Sequence, residues 1–309
     1  MEKTTIIGQK LFAWVALSRP SFHSVGVLPF ILGSVLAWQQ TGAFRWDICV
    51  WGTLGVVLVM LATYYAGEYW DYAEDTLSAR LGRSRFAGGS RVLQRGLLPR
   101  HSALRASLVT LLLAIGVGSI LQLGYRTGPW TIPLGIIGMV GGFFYSTQPV
   151  RWVRTGWGEL WIAFCYGWLP VAVGYYLQAG TIAPLVHCLA IPIGLTIFNV
   201  ILLNEFPDYE ADRATGKRNL AVRLGRDWAS SLYTVTSVAS WAAMALSLVH
   251  GVPTRALWFY LPIVALSLVL VVSMLRRQWQ NRATLEKLCA ANLVVNLGTT
   301  AAYILAFVG

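Results

Sequence analysis

Charged side chains are scarce in this chain of 309 residues. They make up 12% of it, whereas soluble globular domains carry about 25%, so the composition excludes an ordinary soluble domain. Acidic residues are the scarcest, with 13 Asp and Glu in total. Cysteine is also rare: four cysteines are scattered through apolar segments without close pairing. That spacing argues against a disulfide framework or a cysteine metal cluster.

Long apolar runs are the main feature that is present. Hydrophobic residues make up 56% of the chain, and a run of about 20 apolar residues is long enough to cross a bilayer as a helix. Helices are expected because lipid offers the backbone no hydrogen-bond partners. We therefore predict an all-α polytopic membrane protein. Its nine predicted spans are residues 21–39, 48–69, 103–123, 129–147, 158–178, 182–203, 229–249, 256–275 and 288–308.

Basic residues are unevenly distributed between the segments that flank these spans. The N-terminal tail and the segments after the second, fourth, sixth and eighth spans, counted with Arg105, hold 21 of the 24 Lys and Arg. The opposite side has Arg45, Arg126 and Arg255. Because basic segments stay cytoplasmic, we predict a cytoplasmic N-terminus and, with nine spans, an external C-terminus. The expected location is the plasma (inner) membrane of a prokaryotic cell.

The net charge of +11 would suggest nucleic-acid binding in a soluble protein. Here it follows from the basic cytoplasmic segments, which are also attracted to anionic lipid headgroups. The sequence contains no legible nucleic-acid recognition module. We therefore expect the lipid bilayer as a partner, no nucleic acid, and no obligatory protein partner.

Eight of the 13 acidic residues lie in two short stretches, each at the end of an apolar run. In the first stretch, Glu68, Asp71 and Asp75 are spaced i, i+3, i+7, which would place them on one helix face. Like charges so placed repel each other and destabilise a helix end unless a cation lies among them. A solvated acidic helix end is the simpler alternative for this stretch taken alone.

The second acidic stretch, residues 204–225, follows the sixth predicted span directly. Asn204, Asp208 and Asp212 are spaced i, i+4, i+8 and would also share a helix face. Lys217 follows within a Gly-Lys-Arg sequence and is suited to neutralising a phosphate as a point charge.

Both stretches are expected on the cytoplasmic side, at the ends of the second and sixth spans. This placement suggests a pseudo-repeat within a single domain of residues 1–309, with halves at 21–147 and 158–275 and an extra span at 288–308. If the halves face each other, their carboxylates would hold Mg²⁺, which binds a few carboxylates together with substrate phosphates. The predicted metal ligands are Glu68, Asp71, Asp75, Asn204, Asp208 and Asp212, of which Asp71 and Asp208 are the predicted catalytic residues.

Basic and hydroxyl side chains near these stretches are candidates for binding a diphosphate. Arg91 belongs to a long basic segment, residues 76–101, which either forms a lid over a phosphate or serves topology alone. Arg19 either anchors its helix at the membrane interface or meets an anionic substrate. Tyr145 is either an interfacial aromatic residue or a hydrogen-bond partner of the substrate. The complete predicted set is Arg19, Arg91, Tyr145, Arg151 and Lys217.

Glu159 is one of the few acidic residues outside the two stretches. It lies near the predicted cytoplasmic end of the fifth span, in the sequence GWGELW at 156–161. Acidic groups at membrane depth are usually functional or paired, and we expect this one to pair with a neighbouring arginine.

The chain resembles the UbiA superfamily of intramembrane prenyltransferases over nearly its whole length. Asp208 and Asp212 match the family's Asp-x-x-x-Asp motif. The run that follows, from Gly216-Lys217 to Leu224-Gly225, also continues in the family pattern.

The first family motif is usually Asn-Asp-x-x-Asp-x-x-x-Asp, and this chain departs from it. Gly67 stands in place of the asparagine and Glu68 in place of the first aspartate, while Asp71 and Asp75 are kept. One contact to metal or diphosphate then falls to Asn204, to the neighbouring Glu205 or to water.

The resemblance implies a helical bundle around a central cavity, with Mg²⁺ as cofactor and a polyprenyl diphosphate as donor. Departure of the diphosphate would leave an allylic cation, which Trp or Tyr ring faces would stabilise and which must be kept from water. Within the superfamily the chain is most similar to the enzymes that prenylate 1,4-dihydroxy-2-naphthoate in menaquinone biosynthesis. The segments that carry this similarity are 88–96, 156–161, 169–180 and the second acidic stretch.

Three alternatives remain open at this point. A protein of the same fold would use another acceptor (4-hydroxybenzoate, a tetrapyrrole or a glycerol phosphate) or cyclise the isoprenoid. A membrane transporter would be a different class, but acidic groups in transporters usually lie near the bilayer midplane. A non-catalytic family member is suggested by Gly67 and opposed by the intact aspartates.

Overall fold

The computed structural model describes residues 2–81, 84, 86 and 89–309, without the side chains of residues 2–7. Five positions of the predicted lid segment, 82, 83, 85, 87 and 88, lie outside the described residues. Over the described part the chain is all-α, as predicted. Its helices are α1 (Glu2–Leu17), α2 (Ser24–Thr41), α3 (Trp46–Trp70), α4 (Tyr72–Leu81), α5 (Arg100–Ser119), α6 (Thr131–Ser146), α7 (Gly158–Ala163), α8 (Leu169–Ala179), α9 (Pro184–Asn204), α10 (Tyr209–Ala214), α11 (Leu220–Leu224), α12 (Arg226–Val249), α13 (Ala256–Leu275) and α14 (Arg282–Val308).

Seven helical segments of the described chain are long and apolar enough to cross a membrane. Five are the single helices α3, α9, α12, α13 and α14. The other two contain a π-helical turn, namely α5 extended to Gly124 and the pair α7 and α8. The number of apolar helices makes the chain an integral membrane protein.

The prediction of nine spans is not confirmed. The first predicted span is part of a pair of helical segments, Gly8–Phe22 and Ser24–Thr41, bent by 50° against each other, which adds an eighth span if counted as one. The predicted fourth span, 129–147, is α6, which has 16 residues, fewer than the roughly 20 that cross the hydrocarbon core. The helix ends at Ser146 because the backbone of Thr147 is extended. The predicted pseudo-repeat and orientation stay predictions.

Close backbone contact joins α2, the first predicted span, to α8 in the fifth. A β-carbon added to Gly33 would meet the carbonyl of Val171, and one added to Gly174 would meet the carbonyl of Phe30. Small residues allow membrane helices to approach this closely. The contact therefore ties the first half of the chain to the second.

A buried polar network fixes α9 against α12 and α14. The Asn199 amide donates to the Tyr233 carbonyl (3.2 Å) and to Ser237 Oγ (2.9 Å). Asn292 donates to the Asn199 carbonyl (2.9 Å) and accepts from the Tyr233 hydroxyl (3.0 Å). Hydrogen bonds between membrane helices contribute about 0.6 kcal/mol each on average. Since α9 leads directly into the second acidic stretch, the network sets the position of that stretch.

Candidate active site

Both acidic stretches lie where a helix breaks, contrary to the prediction that each occupies one helix face. The first breaks at Asp71 (φ −91°, ψ 13°), between α3 and α4. The second breaks after Asn204, and α10 begins at Tyr209. Pro207 lies in this second break and cannot supply a helical N–H. The breaks therefore interrupt the helical spacing that was predicted for these carboxylates.

The two stretches meet in space as predicted from their positions at the ends of the second and sixth spans. Helices α4 and α10 pack against each other, and the Ser78 hydroxyl of α4 donates to Asp208 Oδ1 at the start of α10. Beside this contact is a cavity of about 540 Å³. Nine of the eleven predicted site residues line it: Arg19, Asp71, Asp75, Arg91, Tyr145, Asn204, Asp208, Asp212 and Lys217.

Glu68 is not among the lining residues of this cavity. Its side chain is 0% exposed and forms an ion pair with Arg19 (2.8 Å). It also accepts hydrogen bonds from the Ser90 backbone N–H (2.6 Å) and the Ser90 hydroxyl (2.9 Å). The assignment of Glu68 as a metal ligand stays a prediction, and in this structure both of its oxygens already accept hydrogen bonds from the protein.

Arg151 is also not among the lining residues of this cavity. Its guanidinium bridges Asp71 Oδ1 (2.8 Å) and Glu74 Oε1 (3.2 Å), and Arg154 pairs with the same Glu74 carboxylate. Burial raises the pKa of Glu74, but Arg154 and Arg151 outweigh that effect, so its pKa is lowered. Arg151 therefore connects the first acidic stretch to the segment after α6, and its predicted role in binding diphosphate stays a prediction.

Serine partners of the aspartates were missed by the sequence reasoning. The Ser146 hydroxyl donates to Asp71 Oδ2 at 2.5 Å, and Ser78 donates to Asp208 as described above. Asp71 and Ser146 are 75 positions apart, and no local pattern links them. Only the packing of α6 against α3 reveals this pairing.

Asp212 and Lys217 form an ion pair in the second stretch. Lys217 Nζ lies 3.3 Å from Asp212 Oδ1, and the Asn219 amide donates to Asp212 Oδ2 at 2.7 Å. Burial raises the pKa of Asp212 to about 6, although Lys217 opposes the shift. The pKa of Lys217 is raised well above its usual value because Asp212, Asp71 and Asp208 outweigh the opposing effect of burial.

Asp212 should give the metal-free protein a pH-dependent stability. Because its pKa is raised on folding, the folded state binds this proton more tightly than the unfolded state does. This contribution to stability is lost as the pH rises from about 4 to about 7. We expect Asp212→Asn to lose less thermal stability than the wild type over that range. Thermal unfolding in EDTA at several pH values measures this difference, and parallel curves for the two proteins would contradict it.

The aspartates form an oxygen-donor set that suits a hard divalent cation. Asp71, Asp75, Asp208 and Asp212 all line the cavity, and carboxylate oxygens are preferred Mg²⁺ ligands. Burial, followed by the charges of Glu68 and Asp71, raises the pKa of Asp75 well above its usual value, a sign that positive charge is in deficit there. Within the described part of the chain, no three His, Cys, Asp or Glu side chains already form a group with metal-binding geometry.

Described residues of the predicted lid segment also contribute to the wall of this cavity. These residues are Ser84, Phe86, Gly89 to Val92, Arg95 and Leu97. Gly89 has φ +64°, and a β-carbon there would collide with the Asp75 carboxylate. Glycine is required for this close approach of backbone to carboxylate.

Three tyrosines are among the aromatic residues that line the cavity. Tyr64, Tyr145 and Tyr166 line it, while none of the tryptophans is among its described lining residues. Of the aromatic residues proposed from the sequence to face an allylic cation, the tyrosines are therefore the ones in position.

A second, almost wholly apolar cavity of about 300 Å³ lies among α3, α5, α6 and α8. Thr63 and Tyr166 line both cavities, so the two adjoin at these residues. Glycines form much of the wall, including Gly135 and Gly138 of α6. The glycines of α6 therefore border a cavity as well as packing against other helices.

Among the residues that the structure describes, Glu159 does not pair with an arginine, contrary to the prediction. Its Oε1 accepts a hydrogen bond from the Leu220 backbone N–H at 2.7 Å, and its side chain lies beside Glu205. The two arginines that follow α6, Arg151 and Arg154, pair instead with Asp71 and Glu74 of the first acidic stretch.

Comparison with known proteins agrees with this architecture. A model of the UbiA prenyltransferase family matches residues 27–295. The chain is 25% identical over 291 residues to 1,4-dihydroxy-2-naphthoate octaprenyltransferase of Bacillus subtilis, covering 94% of this chain and 89% of that protein. It is 25% identical over 247 residues to 2-carboxy-1,4-naphthoquinone phytyltransferase of Synechocystis, covering 79% and 76%. A UbiA homolog from Archaeoglobus fulgidus, solved bound to DMAPP and Mg²⁺, has a TM-score of 0.63 at 16% identity, covering 94% and 98%.

Proposed function

The chain belongs to the UbiA prenyltransferase family, and we propose that it transfers a polyprenyl group from an allylic diphosphate to 1,4-dihydroxy-2-naphthoate. The name of the Bacillus subtilis relative, matched over most of both chains, supports this acceptor. The Synechocystis relative is named for a related naphthoquinone carboxylate and a different isoprenoid. The acceptor class is therefore better supported than the length of the donor chain.

One observation carries the proposal: both acidic stretches and the basic residues Arg19, Arg91 and Lys217 line a single cavity. A cavity lined by carboxylates alone would repel a diphosphate. A cavity that bound a diphosphate through basic residues alone would not require aspartates. Together they suit a magnesium diphosphate, in which the cation lies between carboxylate and phosphate oxygens. Magnesium would be held by Asp71, Asp75, Asp208 and Asp212, with Asn204 beside them, and when bound it would neutralise charge on the departing diphosphate.

The reaction begins with cleavage of the bond between the allylic carbon and the diphosphate oxygen, and the electron pair leaves with the diphosphate. Lys217 and Arg19 stabilise that developing negative charge. Tyr64 and Tyr166 line the cavity, and their aromatic rings would stabilise the allylic cation. The acceptor ring carbon that bears the carboxylate then attacks the cation to form the new carbon–carbon bond. The bond from that carbon to the carboxylate breaks, its electron pair restores the aromatic ring, and CO₂ leaves.

The second cavity is proposed to receive the isoprenoid chain of the donor. It is apolar, and it adjoins the aspartate-lined cavity at Thr63 and Tyr166. A chain anchored by its diphosphate at the aspartates would extend past these two residues, away from the polar groups. Burial of its methylene groups contributes about 0.8 kcal/mol each, which favours a long donor over a short one.

Gly135→Leu should shorten the donors that the enzyme accepts. Gly135 lines the second cavity, and a β-carbon there has no neighbour within 4 Å, so the larger side chain can enter the cavity without a clash at its base. We expect kcat/KM for geranylgeranyl diphosphate to fall about tenfold relative to that for geranyl diphosphate. Parallel assays with the two donors measure this ratio.

Gly116→Leu is the matched control for this change. Gly116 is exposed on α5, and a β-carbon there also has no neighbour within 4 Å. It should leave the donor ratio unchanged. An unchanged ratio in Gly135→Leu, or an equal shift in both variants, would contradict the assignment of the second cavity.

The experiment that tests the proposed function is an assay of the purified protein in detergent. It contains geranylgeranyl diphosphate, 1,4-dihydroxy-2-naphthoate and magnesium, with EDTA as the control and mass spectrometry as the readout. A decarboxylated prenyl adduct that requires magnesium is the expected product. Diphosphate release without this adduct would indicate that the enzyme uses a different acceptor or cyclises the isoprenoid. No turnover with any donor and acceptor would favour a non-catalytic member.

We propose that the aspartate-lined cavity faces the cytoplasm, where magnesium and soluble acceptors are available. The distribution of basic residues supports this orientation. Transport is disfavoured because both acidic stretches lie at the ends of long apolar runs, whereas transporters place such groups near the bilayer midplane.

A further inference from the structure

Three consecutive backbone amides at the start of α11 are each held by a different side chain. The Leu220 N–H donates to Glu159 Oε1 at 2.7 Å. The Ala221 N–H donates to Glu205 Oε2 at 3.0 Å, and the Val222 N–H donates to Asn219 Oδ1 at 2.9 Å. Only the last is a local cap within the same segment. The other two carboxylates come from α7 and from the residue that follows α9.

These two carboxylates are buried at a cost. Glu159 is 1% exposed and Glu205 is 8% exposed, and the carboxyl groups lie side by side. In the part of the chain that the structure describes, Glu159 has no ion-pair partner, and its Oε2 is buried without a hydrogen bond. Burying an acidic side chain is unfavourable unless its interactions compensate. A neutral residue would pack in this place more easily, so the hydrogen bond to Leu220 points to a specific use.

The segment held in this way carries Lys217, the predicted diphosphate-binding residue of the second acidic stretch. Asn219, directly before Leu220, donates to Asp212 Oδ2 at 2.7 Å. Lys217, two residues earlier, pairs with Asp212 Oδ1 at 3.3 Å and lines the cavity. The position of Leu220 therefore limits where Lys217 and Asn219 can place their side chains.

The first half of the chain uses a similar arrangement. Glu68 is buried and accepts the Ser90 backbone N–H at 2.6 Å. Ser90 lies between Gly89, which packs on Asp75, and Arg91, which lines the cavity. In both halves, a buried glutamate thus holds a backbone amide of the segment that brings a basic residue to the aspartates.

We propose that Glu159 is a positioning residue that holds the Leu220 amide and thereby places Lys217 and Asp212 for the diphosphate. Its effect on turnover rests on the proposed function, whereas its effect on the 217–224 segment does not. Glu159 does not line the cavity and acts through the backbone, so the hydrogen-bond acceptor matters and the negative charge does not.

Hydrogen exchange, which requires no substrate, tests whether Glu159 holds the segment of residues 217–224 in place. In Glu159→Ala, amides in peptides that cover residues 217–224 should exchange faster than in the wild type, because Leu220 loses its acceptor. Glu159→Gln keeps a carbonyl oxygen at this position and should restore near-wild-type exchange. Ser240→Ala is the control. It removes a buried hydroxyl that donates to the Pro192 backbone carbonyl, and it should leave hydrogen exchange in residues 217–224 unchanged.

Steady-state kinetics test the catalytic part. Glu159→Ala should raise KM for the polyprenyl diphosphate about tenfold, the effect of losing about one hydrogen bond, and leave KM for the acceptor nearly unchanged. Glu159→Gln should stay close to the wild type. If Glu159→Ala cannot be purified, Glu159→Asp, which withdraws the carboxylate by one methylene group, replaces it and should show the same pattern.

Wild-type exchange in a folded Glu159→Ala protein would overturn the proposal. Equal damage in the Gln and Ala variants would also overturn it, since the charge would then be the essential feature. A wild-type protein inactive with every donor would refute the proposed function, and the exchange experiment would still decide whether Glu159 holds the segment.

Discussion

Asp208→Asn should lower kcat by at least about 100-fold while the protein stays folded. This loss is larger than the loss usually caused by substituting a residue that only hydrogen-bonds to a metal ligand. Asp208 lines the cavity at the start of α10, where the two acidic stretches meet. Asparagine is nearly isosteric and can still accept the hydrogen bond that Ser78 donates to Asp208. The substitution therefore removes a negative charge from the proposed magnesium site with little change in packing.

Turnover in the magnesium assay and the thermal unfolding midpoint are measured side by side for this variant. Glu210→Gln is the matched control, because Glu210 lies two residues away, is exposed, and pairs with Arg226 at the surface. It should keep wild-type activity, since exposed ion pairs contribute little. Wild-type turnover in Asp208→Asn would remove this residue from the site and weaken the magnesium assignment.

Lys217→Ala should raise KM for the donor about 10- to 100-fold, the range expected for one charge-assisted hydrogen bond. Lys217 lines the cavity, and three aspartates hold it in the charged form. When a diphosphate enters with magnesium, its negative charge would interact with Lys217 in place of part of the negative charge of these aspartates. The effect on donor binding should exceed the effect on folding, although Asp212 loses its ion-pair partner.

The donor KM at saturating acceptor measures this effect, and pyrophosphate inhibition provides a second estimate of binding. Lys287→Ala is the control, because Lys287 is exposed on α14 and away from the cavity. An unchanged donor KM in Lys217→Ala would exclude Lys217 from diphosphate binding. A matching rise in Lys287→Ala would show that the effect comes from net charge alone.

The positions of most long apolar helices could be predicted from the sequence alone, whereas the short helices α4, α10 and α11 were not predicted. The predicted span 256–275 coincides with α13, and 158–178 differs by one residue from the segment Gly158–Ala179. The ends of these helices can be predicted from local sequence, because an apolar run of a given length either is long enough to cross the hydrocarbon core or is not. Where the run was short, as in α6, the prediction of a full span was not confirmed.

The sequence also identified most residues that line the aspartate cavity. In a chain with so few acidic residues, carboxylates at the ends of two apolar runs must have a compensating partner. That argument, together with the family resemblance, placed Asp71, Asp75, Asp208 and Asp212 in one site. All four line the same cavity in the structure.

Only the tertiary structure decided which partner each buried charge has. Arg19 pairs with Glu68, Arg151 with Asp71 and Glu74, and Glu159 with a backbone amide 61 positions away. A sequence shows that a charge in an apolar chain must be compensated, because the cost of burying it is a local property. It does not show what compensates the charge, because that depends on which distant helices pack together and how their ends break.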